Sequence, residues 1–183
     1  MKIALIGYGK MGKEIESLAK ARGNEIVLIV DENNVNTIVS ADLQKADVAI
    51  EFSAPSAAIG NIYKCFDAGI PVVVGTTGWY TKLDEVKKKQ AEKSSGLFYA
   101  SNFSVGVNLF FEVNKYLAAM MNKYPDYEVS IEEQHHIHKK DAPSGTGITI
   151  AEGILQNFSS KKRYTIEKSD NKEDLFIEVV REG

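Results

Sequence analysis

Residues 2–12, KIALIGYGKMG, decide the fold. A short apolar run ends in three spaced glycines, Gly7, Gly9 and Gly12, and from Lys10 to about Arg22 the pattern becomes helical. Strand, tight glycine turn and helix in that order open a βαβ unit of the kind that holds a pyrophosphate. The first glycine permits the turn and the second lets the backbone approach an anion. The third allows close helix–strand packing, while the helix N-terminus faces the anion. The same glycines would also serve a turn needed only for packing. Asp31 favours the dinucleotide reading: it ends the next strand-like run, EIVLIVD (25–31), about 20 residues on, where a carboxylate accepts from a ribose hydroxyl.

Outward from this turn, the first hundred residues alternate strand and helix patterns. Strands are expected at 2–7, 25–31, 47–52, 71–75 and 96–100, and helices at about 10–22, 55–68 and 81–93. Near-continuous apolar strands alternating with helices predict a doubly wound, Rossmann-type α/β sheet, parallel and covered on both faces. Loops that follow strand C-termini line the ligand crevice of such a sheet. Two are GTTGW (75–79) and ASNFS (100–104), which put Gly75, Thr76, Thr77 and Asn102 at the crevice, although turn chemistry alone would use the same residue types.

After Ser104 the pattern changes. Leu109, Phe110, Val113, Leu117, Met120 and Met121 recur at helical spacing as far as Pro125, and this stripe is expected to be core. A strand is expected at 127–136, a helix at about 146–157 and late strands near 163–168 and 174–181. The irregular order predicts a smaller α+β domain, with residues 1–103 forming the dinucleotide domain and 104–183 the second.

The chain has 183 residues, 44% of them hydrophobic, enough for a substantial core in one domain or two small ones. A net charge of −3, with no basic stripe interleaved with aromatics, argues against nucleic acid as the main ligand. No apolar run is long enough to cross a membrane, and no leader is expected before the first strand. The single cysteine, Cys65, lies in a helical pattern without a disulfide partner, which fits a reducing, cytoplasmic setting.

All three histidines fall in EEQHHIHKKDAPSGTG (132–147), beside Lys139 and Lys140. A metal site is disfavoured, because two adjacent ammonium groups oppose a divalent cation and the HHxH spacing matches no common zinc pattern. A solvated basic loop explains the charge but not the Pro-Ser-Gly turn beside it. That turn opens a helix whose free amides at Gly145 and Thr146 form an anion site. Cations and helix amides converging on one place predict an anionic ligand, with a carboxylate favoured because the dinucleotide phosphates already have a site. Histidine also delivers a proton near neutral pH.

EEQHHIHKKDAPSGT, together with GYGKMG, GTTGW and YASNFSVGVN, resembles the 4-hydroxy-tetrahydrodipicolinate (dihydrodipicolinate) reductase family of the diaminopimelate route to lysine. The similarity runs along the whole chain. It implies an N-terminal Rossmann domain that binds NADH or NADPH, and a C-terminal α+β domain that takes a small cyclic dicarboxylate and builds a homotetramer. His135 is then the proton donor and acceptor and Lys139 the second catalytic group, while His136, Gly145 and Thr146 hold the substrate. Gly7, Tyr8, Gly9, Lys10, Met11, Gly12, Asp31, Gly75, Thr76, Thr77, Ala100, Ser101, Asn102 and Phe103 hold the cofactor. His138 and Lys140 receive no catalytic role, and Ser104 is a hinge candidate for closure between the domains. The resemblance also implies further residues beyond Gly183, so that the second domain is incomplete relative to the family. Two readings compete: another NAD-dependent reductase of a small dicarboxylate, which would share the Rossmann half but not the HHIHKKDAPSGT string, and a non-catalytic nucleotide-binding fragment. At the coenzyme site Glu32 follows Asp31 where NADP-tolerant members often carry arginine, which predicts a preference for NADH with NADPH usable.

Overall fold

In the computed structural model, which describes residues 1–139 and 141–183, the first strand β1 (Lys2–Ile6) divides its side chains between two cores. Ala4 and Ile6 join a cluster with Ile62, Cys65, Phe66, Val74, Trp79 and Val86, while Ile3 and Leu5 pack with Ala19. Alternate residues of one strand meet opposite faces of a sheet, so helices must cover both. They are α1 (Lys10–Ala21) on the Ile3/Leu5 face, and α3 (Pro55–Asp67) with α4 (Leu83–Lys93) on the other. A one-turn helix, α2 (Ser40–Leu43), lies between them in sequence and buries Leu43; its pattern is too short to be read as a helix beforehand.

The remaining strands are β2 (Glu25–Val30), β3 (Val48–Glu51), β4 (Val72–Val74) and β5 (Leu97–Tyr99). Their spatial order is β2-β1-β3-β4-β5, with every neighbouring pair parallel. The chain runs outward from β1 in one direction to β2 and in the other to β3, so the order reverses between β1 and β3. Loops at the carboxyl ends of those two strands diverge and leave a crevice.

Contacts divide the chain into Met1–Ser101 and Asn102–Gly183. The second unit contains α5 (Val105–Met121), β6 (Ile131–His135), α6 (Gly145–Asn157), β7 (Arg163–Thr165) and β8 (Asp174–Arg181). Its three strands run parallel in the order β6-β8-β7, and Ile131, Ile177 and Leu175 pack against Ala151 and Ile154 of α6.

Three expectations need correction here. The strand expected at 127–136 begins only at Ile131, because β8 pairs with residues 131–135 and supplies no ladder partner to the alternating residues before them. The strand near 163–168 is confined to Arg163–Thr165, where its register with Asp174–Phe176 ends. The apolar stripe on α5 is not core: Leu109 is 62% exposed, Phe110 53% and Val113 61%, and Leu117 and Met120 are exposed as well. The helix instead buries Phe111 and Ala118, and of the expected stripe Met121 alone packs into the core. The cause lies on the facing helix. A Cβ at Gly153 of α6 would stand only 3.0 Å from the Asn114 amide, and Asn114 Nδ2 donates to the Ile150 carbonyl at 3.0 Å. The two helices approach so closely that the seam takes small and polar residues, leaving the bulky face outward. Ser104, expected as a hinge, is the N-cap of α5: its hydroxyl accepts from Val107 N and its own amide donates to Asn102 Oδ1. Among the described residues, no helix is long and apolar enough to cross a membrane.

Candidate functional site

The crevice of the first unit is shaped by glycines that cannot be replaced. Gly7 has φ +96°, and a Cβ there would overlap the Phe52 carbonyl; one on Gly12 would overlap the Gly7 carbonyl. The β1 turn, the β3 loop and the start of α1 therefore touch backbone to backbone. Gly9 differs, with nothing within 4 Å of its Cβ position, so this turn presents bare main chain to the crevice. As the N-cap of α1, Gly9 makes no side-chain cap, which leaves the first amides of the helix for an anion.

Two cavities meet at this turn. The larger, about 550 Å³, is lined by Gly7, Tyr8, Gly9, Asp31 and Glu32, and also by Phe52, Ser53 and Asn61. Asp31 is oriented by its own loop: Asn33 donates to the carboxylate through its amide (2.8 Å) and its side chain (3.3 Å). The smaller cavity, about 380 Å³, is lined by Gly9, Lys10, Met11, Phe52, Ser53, Gly75, Thr76 and Thr77. A chamber with an acidic end, an open glycine and helix amides between, and a second chamber beyond fits an extended dinucleotide. Gly12 lines neither cavity and serves the packing of the turn. Ala100, Ser101, Asn102 and Phe103 also line neither, and Asn102 and Phe103 belong to the second unit.

Phe52 and Ser53 line both cavities and were not anticipated from sequence. Ser53 N donates to Thr76 Oγ1 at 2.8 Å, and the Phe52 ring fills the space above Gly75. The Ser53 hydroxyl in turn donates to the fully buried Glu51 carboxylate, which Asn61 also reaches. The rule that singled out residues 75–77, position after a parallel strand, applies equally to this loop. Its residue types simply carry no phosphate signature.

In the second unit the organising group is Glu133, 8% exposed at the side chain and pointing under the DAPSG turn. Its carboxylate accepts from Ser144 N at 3.0 and 3.1 Å and from the Ser144 hydroxyl, and takes Arg181 Nη2 of β8 at 3.3 Å. His135 Nε2 stands 4.0 Å away. Burial works to raise the Glu133 pKa, but Ser144, Arg181 and His135 outweigh it and hold the carboxyl below its ordinary 4.5. Ser144 is simultaneously the N-cap of α6, accepting from Gly147 N at 3.0 Å. Gly145 and Thr146 thus occupy a first helical turn whose amides have no carbonyl of their own helix to reach.

Arg181 also donates to the Asp141 carbonyl at 2.6 Å, and the Asp141 carboxylate holds Lys139 Nζ at 2.8 and 3.0 Å. His135, Glu133, Arg181, Asp141, Lys139 and the α6 N-terminus are therefore one connected array. His136 joins it through its backbone carbonyl, which accepts from Lys139 N, while its exposed ring lies beside that of His138. Lys140 lies outside the described residues. Among those described, no three metal-ligating side chains are grouped to hold an ion.

Residues 1–103 match the family model described as dihydrodipicolinate reductase, N-terminus, and residues 106–183 the one described as its C-terminus. The whole chain is 49% identical to a 4-hydroxy-tetrahydrodipicolinate reductase of Christiangramia forsetii and covers 75% of it. It is 32% identical to the protein of that name from Staphylococcus aureus, covering 78%. Among solved structures, the whole chain superimposes on a dipicolinate-bound dihydrodipicolinate reductase from Paenisporosarcina sp. TG-14 with a TM-score of 0.69. Identity there is 24% over 78% of that protein, a likeness of fold.

Because the folded Glu133 carboxyl titrates below its ordinary value, it stabilises the fold above pH 4.5, and this contribution disappears as pH falls through the lowered value. Glu133→Gln is expected to cost about 1–3 kcal/mol at pH 7. In denaturant titrations the gap between the two proteins should narrow below pH 4.5; a gap independent of pH would contradict the assignment.

Proposed function

We propose, from the premise that the chain belongs to the dihydrodipicolinate reductase family, that it reduces 4-hydroxy-tetrahydrodipicolinate with a nicotinamide dinucleotide in the diaminopimelate route to lysine. A Rossmann half alone would suit many NAD-dependent reductases. The observation that carries this reading is the array around Glu133, which joins a histidine, a lysine and two free helix amides in one place. That combination suits a ring bearing two carboxylates. Residues 1–103 are assigned to the dinucleotide and 104–183 to the dicarboxylate.

Loss of the 4-hydroxyl as water leaves a conjugated double bond at carbon 4 of the ring, to which a bound reduced nicotinamide would supply its hydride. The α1 amides around Lys10 and Met11 would hold the pyrophosphate, Asp31 the ribose hydroxyls, and Gly75, Thr76 and Thr77 the far end of the dinucleotide. Ala100, Ser101, Asn102 and Phe103 are kept as cofactor residues on the resemblance alone. The first amides of α6, at Gly145 and Thr146, receive one substrate carboxylate with His136 beside them. The Lys139 ammonium meets the negative charge that remains, and His135 delivers the proton next to the reduced carbon. A homotetramer built through the second unit and a cytoplasmic location belong to the same proposal. The exposed apolar face of α5 supports association, and the free, buried Cys65 supports a reducing compartment.

His135→Ala should leave NADH affinity unchanged while kcat falls by roughly 10²- to 10⁴-fold, the contribution of a positioned proton donor. Lys139→Ala should raise KM as well as lower kcat, since it also removes a binding cation. Steady-state kinetics with a separate NADH titration separate the two effects, and wild-type turnover in the first variant would reject the assignment of His135.

NADH is the preferred coenzyme in this reading. A 2′-phosphate about 4 Å from Asp31 would be disfavoured by between ~1 and ~4 kcal/mol, depending on how far water screens the pair. Glu32 lines the same cavity, and Lys10 lines the other one. Titration of both coenzymes should therefore show NADPH binding more weakly but measurably; tighter binding of NADPH would overturn the role given to Asp31.

A further inference from the structure

We infer that Asp141 is a built-in competitor for the Lys139 ammonium, so that a substrate carboxylate binds by displacing it and Asp141 sets the affinity of the site. The inference rests on the reading that Lys139 receives a substrate carboxylate.

The geometry is one-sided. Both Asp141 oxygens lie within hydrogen-bond distance of Nζ, at 2.8 and 3.0 Å, so the ammonium has a bidentate partner before any ligand arrives. Lys139 is the sheltered member, 24% exposed at its side chain, whereas Asp141 is 57% exposed and faces water. Its main chain is pinned separately, since Arg181 Nη2 donates to the Asp141 carbonyl and not to its carboxylate. The side chain can therefore turn into solvent without disturbing the turn that presents Ser144 and the α6 amides. Burial is the largest influence on the Asp141 carboxyl and pulls its pKa upward, but the Lys139 hydrogen bond, a hydrogen bond from its own main chain and the charges of Lys139 and Arg181 together outweigh it and hold the carboxyl below its ordinary value. An incoming carboxylate thus meets a neutralised lysine and a like charge beside it, and gains only the difference between two similar pairs. Once Asp141 has swung into water it is fully solvated, which makes the exchange reversible and favours release of an anionic product.

The test uses pyridine-2,6-dicarboxylate as probe, with calorimetric Kd values for the wild type, Asp141→Asn, Lys139→Ala and the double variant, and KM and kcat for the substrate in parallel. Exposed ion pairs contribute little, so Asp141→Asn is expected to tighten the probe by about two- to fivefold. It should lower KM without raising kcat, and have no effect in the Lys139→Ala background. Asp141→Glu, which preserves the pair, should bind like the wild type, and Asp141→Ser replaces the asparagine variant should that one fail to fold. Weaker or unchanged binding in Asp141→Asn, with Lys139→Ala still impaired, would overturn the competitor role and leave Lys139 as a substrate group. Unchanged binding in Lys139→Ala would overturn both.

Discussion

The Glu133 carboxylate is the constraint on which the second half of the molecule depends. A buried charge is tolerable only when its lone pairs are filled and a counter-charge is near. Glu133 meets both conditions by drawing in three separate pieces of chain: the Ser144 amide and hydroxyl at the head of α6, the Arg181 guanidinium on β8, and His135 on its own strand. Satisfying one group thereby fixes the direction of a helix, the end of a strand and the surroundings of an imidazole. The crowding is severe enough that Gly147 must lack a side chain, because a Cβ there would stand 2.5 Å from the Glu133 carboxylate. The polar groups that face outward, Lys139 and the first amides of α6, are positioned as a consequence.

The first unit reaches comparable precision by steric rather than electrostatic means. Gly7, Gly12 and Gly75 are positions where a methyl group would collide with a carbonyl or an aromatic ring, so the crevice floor is backbone packed on backbone. Hydrogen bonds then lock the two loops that meet there, Ser53 N to Thr76 Oγ1 and Trp79 Nε1 to the Thr76 carbonyl. One half of the protein offers an anion uncapped helix amides, and the other offers amides and ammonium balanced by internal carboxylates.

Legibility in the sequence followed the range of the interactions. The glycine turn, the alternating elements and the Pro-Ser-Gly turn that opens α6 are local, and their spacing marks them in the sequence, whereas Ser104, expected as a hinge, is a cap. Glu133 and Arg181 are 48 residues apart, and only the β6–β8 register brings them together, so no nearby pattern announced either. The apolar stripe on α5 had correct helical periodicity but faces outward, because which side of a helix is buried depends on the partner, here the close-packed Gly153 surface of α6. Phe52 and Ser53 escaped notice because an ordinary Phe-Ser pair gains its role from sitting beside the strand reversal between β1 and β3.

The central claim is that these two sites serve one hydride transfer to a cyclic dicarboxylate. It is tested most directly by running the reduction with NADH dideuterated at nicotinamide carbon 4 and analysing the product by mass spectrometry and NMR. One deuterium per product molecule is expected, on ring carbon 4, and none at that carbon when the label is moved to the water. Product without deuterium from the labelled coenzyme, or with carbon 4 labelled from solvent, would contradict it.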